Sequence, residues 1–378
     1  MAMLYLAHGA GLKISAVTVD HGLREGSAAE AEGVARICAG LGVAHSTLRW
    51  QRPMGAGNLQ DQARRARRAL IGNWARGSGL SAVALAHTGD DVAETFLMRL
   101  TRGAGVDGLS AMAGEWREGG LRWLRPLLDV SRAALRDYLR GRGAVWIDDP
   151  SNESDRFQRV RARKALTVLK DFGLEAGRLA EVARHLEAAR LVLEQATDTA
   201  ARAVLREESG AVWIGREGFA ALLPEVQRRL LQRLILWTRP TDYTPRAEAI
   251  ARLCASVIAG KPATLAGCRF VAAQGKVLAL GEERNTGAAV PQDGLWNGLW
   301  RIEGPEIPGA EIRALGPDGL KQLPDWRVHG LPRAALLVSP ALWQGLQLVA
   351  APAAHFGPKW RALRHPSADQ LFVSALSH

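Results

Sequence analysis

Short β-branched or aliphatic runs alternate with stretches of helical periodicity through the first 165 residues, and few folds tolerate that rhythm. Ile14 to Val19 reads as a strand, Ala28 to Leu41 as a helix, Ala44 to Trp50 as a strand, Leu59 to Ala75 as a helix, Ala82 to Ala86 as a strand and Asp90 to Leu100 as a helix. Strands separated by crossover helices pair in parallel through right-handed βαβ units. The expectation is an α/β fold built on a doubly wound parallel sheet. In such sheets the ligand crevice lies beyond the carboxyl ends of the strands. The segments that fall there are Asp20-His21-Gly22-Leu23-Arg24 and His87-Thr88-Gly89-Asp90-Asp91.

The first eight residues break the pattern. They read as a helix that ends at Gly9 and Gly11, with no N-cap and no strand before it, although a doubly wound fold opens with a strand and a turn. The chain as written is therefore expected to begin inside its first helix. From about Phe157 to Thr238 the pattern changes to long helices rich in Ala, Arg, Leu and Glu, broken by a short apolar run at Ala211 to Ile214. Another helix is expected at 245–259, and the tail turns Gly-, Pro- and Trp-rich, with short strands such as Val277 to Leu280 and Leu346 to Val349. A chain of 378 residues exceeds what one core usually organises. These shifts suggest three parts: an α/β domain over 1–165, a helical domain over 166–260 and a small mixed region over 261–378.

Composition narrows the class further. With 47% hydrophobic and 23% charged residues, and no long uninterrupted apolar run, disordered and membrane-spanning classes are excluded. Cys38, Cys254 and Cys268 lack metal-site spacing and are odd in number, so neither a disulfide framework nor a zinc knuckle is expected. No cationic leader precedes an apolar stretch, which leads us to expect a cytoplasmic protein. The formal charge is +11, and residues 1–165 hold 24 basic against 17 acidic side chains. Such an excess favours polyanionic partners, nucleic acid first, with a merely basic surface as the plainer reading.

Three clusters can carry chemistry. His87, Asp91 and Glu94 stand at i, i+4 and i+7 across a strand-to-helix turn and can converge on one pocket. The plainer reading is that Thr88 caps the helix with Asp91 as its capping-box partner, and spacing alone favours it; the position beyond a parallel strand, with Asp20-His21 beyond its neighbour, raises the functional reading. Arg99 and Arg102 precede Gly103-Ala104-Gly105, a turn suited to a phosphate or simply a helix C-cap. Arg125-Pro126-Leu127-Leu128 and Asp148-Asp149-Pro150-Ser151-Asn152 lead to Arg156, Arg159, Arg161, Arg163 and Lys164; the segment 151–170 holds six basic and two acidic residues. That density suits an RNA backbone, or a solvated helix face. Arg64, Arg65, Arg67 and Arg68 form a second stripe of the same kind.

The run His87-Thr88-Gly89-Asp90-Asp91-Val92-Ala93-Glu94-Thr95, then Arg99-Leu100-Thr101-Arg102-Gly103 and Gly108-Leu109, resembles the signature of the tRNA(Ile)-lysidine synthetase family. Val19 to Arg24, Ala63-Arg64 with Arg67, Arg125 to Leu128 and Ile147 to Asn152 followed by Arg159-Val160-Arg161 match in order and spacing, and Ala263 to Arg269 extends the likeness more thinly. The family belongs to the N-type ATP pyrophosphatases, whose Ser-Gly-Gly-x-Asp-Ser loop holds the ATP pyrophosphate. That loop is absent from this sequence, and Met1-Ala2-Met3-Leu4 looks like the residues right after it, so the missing strand and the missing loop have one explanation. Arg68 stands where the family usually has an aromatic residue.

The resemblance implies adenylation of the wobble cytidine of a CAU-anticodon tRNA(Ile) by ATP with Mg²⁺, and displacement of AMP by the ε-amine of free L-lysine. It implies that Asp91 and Glu94 recognise the lysine ammonium, that His87 orients the cytidine or moves protons, and that Asp20 and His21 border the adenosine. Arg125, Arg99 and Arg102 are then substrate contacts, Arg159 and Arg161 grip tRNA phosphates, and the helical domain over 166–260 binds tRNA. No resident metal ligand is expected, and a homodimer is an option that the residues leave open. Two rivals remain: a related tRNA-thiolating pyrophosphatase, for which functional cysteines are expected, and a tRNA-binding remnant without turnover.

Overall fold

Two compact units divide the chain, residues 1–191 and 192–375, in a computed structural model that describes residues 1–22, 26–50, 59–146, 158–240, 244–273, 275–281, 287–323, 325–365, 367 and 369–373. The expected breaks lay near 165 and 260. The division instead falls inside one helix, and a single sheet in the second unit draws strands from both sides of residue 260. Among the described residues no helix is long and apolar enough to cross a membrane.

In the first unit the order is α1 (Ala2–Gly9), β1 (Ser15–Asp20), α2 (Ser27–Gly40), β2 (Ala44–Arg49), α3 (Leu59–Gly77), β3 (Ala82–Ala84), α4 (Gly89–Leu100), α5 (Val106–Leu109), β4 (Glu115–Glu118), β5 (Leu121–Leu124), α6 (Arg132–Gly141), α7 (Gln158–Leu169) and α8 (Ala176–Val204). The alternation is the expected one, with boundaries shifted by one or two residues, which is where helix and strand ends fray. β1 and β2 pair in parallel from Ser15 opposite Ala44 to Asp20 opposite Arg49, and β3 pairs in parallel with β5, whose other edge carries the antiparallel β4. Among the described residues no ladder joins β1 to β3, so the sheet stands in two pieces. α3 covers both: Ile71 and Ala75 are buried with Val83, Trp116, Leu121 and Trp123, and Val17 and Val19 of β1 pack on the same cluster.

The second unit is mainly antiparallel. β6 (Leu205–Glu208), β7 (Ala211–Gly215), α9 (Arg216–Ala220), α10 (Pro224–Thr238), α11 (Ala247–Ala259), β8 (Ala263–Leu265), β9 (Cys268–Ala273) and β10 (Lys276–Gly281) build a five-stranded sheet of order β6-β7-β10-β9-β8. Successive residues of a strand face opposite sides. Val277 and Ala279 thus meet Leu230, Leu234, Ile235 and Val257 of α10 and α11, while Leu278 and Leu280 join Leu315, Leu336 and Trp343 on the other face. Beyond lie β11 (Val290–Pro291), β12 (Trp300–Glu303), β13 (Ala310–Ala314), α12 (Gly316–Lys321), α13 (Arg333–Val338), β14 (Pro340–Gln344), β15 (Gln347–Ala350) and β16 (Arg361–Arg364). They form a four-stranded sheet, β11-β13-β14-β15, and the pair β12-β16.

Candidate active site

α4 begins immediately beyond β3, and its first turn explains most of the His87-to-Glu94 motif. Thr88 is the N-cap; Asp91 Oδ2 accepts hydrogen bonds from the Thr88 backbone N–H at 2.9 Å and from its hydroxyl at 2.8 Å, which completes a capping box. Gly89 leaves room where a Cβ would stand 3.1 Å from the Leu128 carbonyl, and its N–H donates to Val130 at 3.0 Å. Asp90 Oδ2 accepts the backbone N–H of Arg132 at 2.6 Å, tying the starts of α4 and α6 together. The capping reading is therefore correct, and it does not displace the other one.

Three and four residues further along, the same helix turns acid into the protein. Glu94 is 1% exposed. Its Oε1 accepts from Arg163 of α7 at 2.6 Å and from Arg132 at 3.0 Å, while Oε2 is buried without a partner among the described residues. Asp91 Oδ1 lies 3.7 Å from Arg132 and 3.6 Å from Arg159. Burial works to raise the Asp91 pKa, but the two Thr88 hydrogen bonds and the arginines prevail and hold it below the usual carboxylate range. Buried polar atoms are nearly always satisfied, so this carboxylate oxygen calls for a donor that the described residues do not supply, a water or a ligand.

His87 sits beside this pair. Arg125 donates from Nε to its Nδ1 at 3.3 Å. A guanidinium only donates, so Nδ1 carries no proton and the neutral ring bears it on Nε2. Burial and the neighbouring Arg125 push the His87 pKa down to about 4, with Asp91 opposing and Arg159 and Arg64 adding to the depression. The ring is neutral at physiological pH and offers an N–H. Arg125 itself is 8% exposed; Nη1 donates to the Ala113 carbonyl at 2.7 Å, and the guanidinium lies 4.2 Å from the Trp116 ring, itself stacked on Trp123. Burial brings Arg125 down to about 10, still charged near neutrality.

At the end of β1, Asp20 Oδ1 accepts from Gly22 N–H at 2.9 Å and from the Ser27 hydroxyl at 2.7 Å, which lowers its pKa and closes the turn into α2. His21 packs edge-on against Trp50, its pKa lowered by burial and Arg67, and its Nδ1 is buried without a partner among the described residues. Of the other expected contacts, Arg99 Nη1 binds the Gly108 carbonyl at 2.8 Å and Arg102 binds Gln158. Arg99 thus ties the end of α4 to α5, and Arg102 ties it to the start of α7. Arg161 is exposed on α7. Leu23, Arg24 and the segment Ile147 to Arg156 lie outside the described residues.

Sequence reasoning missed Arg132. The signal was Ser131, whose hydroxyl accepts from Ala134 N–H as an N-cap and so places Arg132 at the first helical position. It treated Arg163 as one of a basic run, whereas Arg163 is the closest partner of Glu94.

The helix start beyond β3 and the polar ends of β1 and β3 belong to an α/β domain, and residues 1–169 match the PP-loop domain. The tRNA(Ile)-lysidine synthase of Ruegeria pomeroyi is 46% identical over 369 residues, covering 97% of this chain and 88% of that protein. Those of Bradyrhizobium sp. BTAi1 and Rhodopseudomonas palustris are 39% and 38% identical, each over 69% of this chain and 77% and 76% of their own length. The chain belongs to the tRNA(Ile)-lysidine synthase family.

Proposed function

We propose that this chain converts the wobble cytidine of CAU-anticodon tRNA(Ile) to lysidine, with ATP and free L-lysine as co-substrates. The observation that carries the reading is the orphaned Glu94 Oε2 in a carboxylate pair beside a neutral, N–H-bearing His87 at the crevice end of β3.

The cytidine carbonyl oxygen is a poor leaving group until it attacks the α-phosphorus of ATP and expels pyrophosphate. The lysine ε-amine then attacks the activated ring carbon and AMP departs. His87 donates its Nε2–H toward the base and holds it, and since Nδ1 is occupied by Arg125 the ring takes no proton from lysine. Glu94 Oε2 and Asp91 receive the ammonium, and Glu94 Oε2, the carboxylate oxygen without a donor, accepts the proton that the amine sheds before it attacks. Arg132 and Arg159, which share those carboxylates, are the charges available to the lysine carboxylate or to an RNA phosphate. Asp20 and His21 border the adenosine, with His21 Nδ1 as the unmatched polar atom. Arg125 acts through His87 rather than on substrate. Mg²⁺ would accompany the ATP phosphates and offset their charge; among the described residues no cluster of three or more His, Cys, Asp or Glu is present to hold it.

The test is mass spectrometry of CAU-anticodon tRNA(Ile) incubated with ATP, lysine and the protein carrying a Ser-Gly-Gly-x-Asp-Ser segment before Met1. Lysidine at the wobble position supports the proposal. Intact cytidine with a folded, tRNA-binding protein leaves the remnant reading standing.

A further inference from the structure

The strand pair β4–β5 explains how Arg125 reaches His87. Trp116 and Trp123 stand directly opposite each other in the antiparallel register, so both rings rise from one face of the sheet, where α3 covers them. Arg125 lies two residues beyond Trp123, and its backbone N–H donates to the Gly114 carbonyl at 2.7 Å, which continues the ladder past the end of β5. The two-residue period sends its side chain to the face of the two rings, and the guanidinium lies 4.2 Å from the centre of the Trp116 ring.

Arg125 is 8% exposed, and among the described residues no carboxylate pairs with it; the charges acting on it, Arg68 and Arg64, are of its own sign. Its hydrogen bonds from Nε to His87 and from Nη1 to Ala113 fix one edge of the guanidinium. The π face of Trp116 is the remaining partner, and it fixes the plane. Such a face holds a buried cation more firmly than an exposed one, because water does not compete.

The Trp116 ring is itself pinned. Glu118, two residues along β4, shares its face of the sheet; its Oε2 accepts from Trp116 Nε1 at 3.2 Å and pairs with Arg68 Nε at 2.9 Å. The Arg68 guanidinium in turn lies 5.0 Å from the Trp116 ring and 5.9 Å from the Trp123 ring. Glu118 and Arg68 hold the indole, the indole holds Arg125, and Arg125 meets His87.

We infer that Trp116 is a positioning residue for the reaction at His87: its ring orients the Arg125 guanidinium so that Nε meets His87 Nδ1 and the imidazole keeps its proton on Nε2. The reaction served is the one proposed above; the arrangement of the three side chains is tested without it.

Ring ¹⁵N–¹H spectra of the full chain read the His87 tautomer and its titration, with His87→Gln to assign the signals. Trp116→Leu removes the π face. The Nδ1 and Nε2 shifts should then move toward the averaged values of a ring exchanging between tautomers, and the pKa should rise from about 4 toward 6.5 as Arg125 turns away. Trp116→Phe keeps a face for the guanidinium and should restore the parent values. Glu118→Ala, at an exposed position, frees the indole and should move the same signals in the same direction by less; it carries the test if Trp116→Leu does not fold. Ile71→Ala is the control: it opens the same core cluster and leaves Trp116 in place, so it should lower the melting temperature and leave the His87 signals unchanged. With a Ser-Gly-Gly-x-Asp-Ser segment before Met1, adenylation should fall roughly tenfold in Trp116→Leu and recover in Trp116→Phe. His87 signals that stay at the parent values in Trp116→Leu and Glu118→Ala, or that move as far in Ile71→Ala, overturn the proposal and leave Trp116 a core residue only. An extended parent that never adenylates tRNA sinks the lysidine reading instead, and the spectra still decide whether Trp116 sets His87.

Discussion

Arg125 Nε donates to His87 Nδ1 at 3.3 Å, and that one bond decides which nitrogen of the neutral imidazole carries the proton. A histidine at i, i+4 from an acid is usually read as a base. Here the acceptor nitrogen is already taken by a group that never accepts, so His87 is a donor. Its depressed pKa, about 4, points the same way.

The pH dependence follows with a definite sign. In the unfolded chain His87 titrates near its ordinary value of 6.5, but in the fold only near 4. Between those values the unfolded chain binds a proton that the folded chain refuses. The contribution of His87 to stability is therefore complete above about 6.5 and is lost as pH falls toward 4. Chemical denaturation at pH 7.5 and 4.5 should show a smaller acid loss for His87→Gln than for the parent. Equal losses in the two proteins remove the buried, neutral ring from the account.

Arg125→Met keeps much of the stem over Trp116 and removes the donor. The His87 ring should then lose its fixed Nε2–H tautomer, visible in its ¹⁵N ring shifts, and its pKa should rise because the largest like charge beside it is gone. Adenylation should fall by roughly one to two powers of ten, the range for a mis-set proton donor. Unchanged ring shifts would show that Arg125 holds only Trp116 and Ala113.

Asp91→Asn touches the α4 cap as well as the site. The amide can still accept one bond from Thr88, so the loss of stability should be about 0.5–2 kcal/mol, measured as a fall in melting temperature. If that change reaches the size expected for breaking a buried ion pair, about 3–5 kcal/mol, the pairing with Arg132 and Arg159 matters more than the cap.

Arg159 and Arg161 differ in the structure although the sequence treats them alike. Arg159 faces Asp91, and Arg161 is exposed on α7. Arg161→Ala should lower the slope of log tRNA affinity against log salt by nearly one phosphate equivalent, and Arg159→Ala by less. A slope that neither substitution moves would mean that α7 offers tRNA only a solvated face.

Much of this site was legible because its residues are local in sequence. His87, Asp91 and Glu94 fall within eight consecutive residues that follow β3. The capping reading leaves room for the other, because Asp91 uses different oxygens: Oδ2 caps and Oδ1 faces the arginines. What stayed hidden depends on contacts 38 and 69 residues apart in the chain, Arg132 and Arg163 on Glu94. Arg125 read as a substrate contact because an arginine's partners are invisible in sequence. The fold shows the same limit: β1, β2 and β10 follow from their patterns, but β6 to β10 form one sheet only because β7 and β10 pair across three intervening helices, and no local signal announces that register.

The central claim is that the Asp91–Glu94 pair receives the lysine ammonium while the adenylation step proceeds without it. The direct measurement is a single-turnover assay with α-labelled ATP and CAU-anticodon tRNA(Ile), using Glu94→Gln in the protein extended by a Ser-Gly-Gly-x-Asp-Ser segment and following adenylated tRNA and lysidine together. The account expects adenylated tRNA to form and accumulate while lysidine is lost, with partial recovery at high lysine concentration. Arrest of adenylation to the same degree as lysidine formation, in a variant that still folds and binds tRNA, would place these carboxylates with ATP and contradict the account.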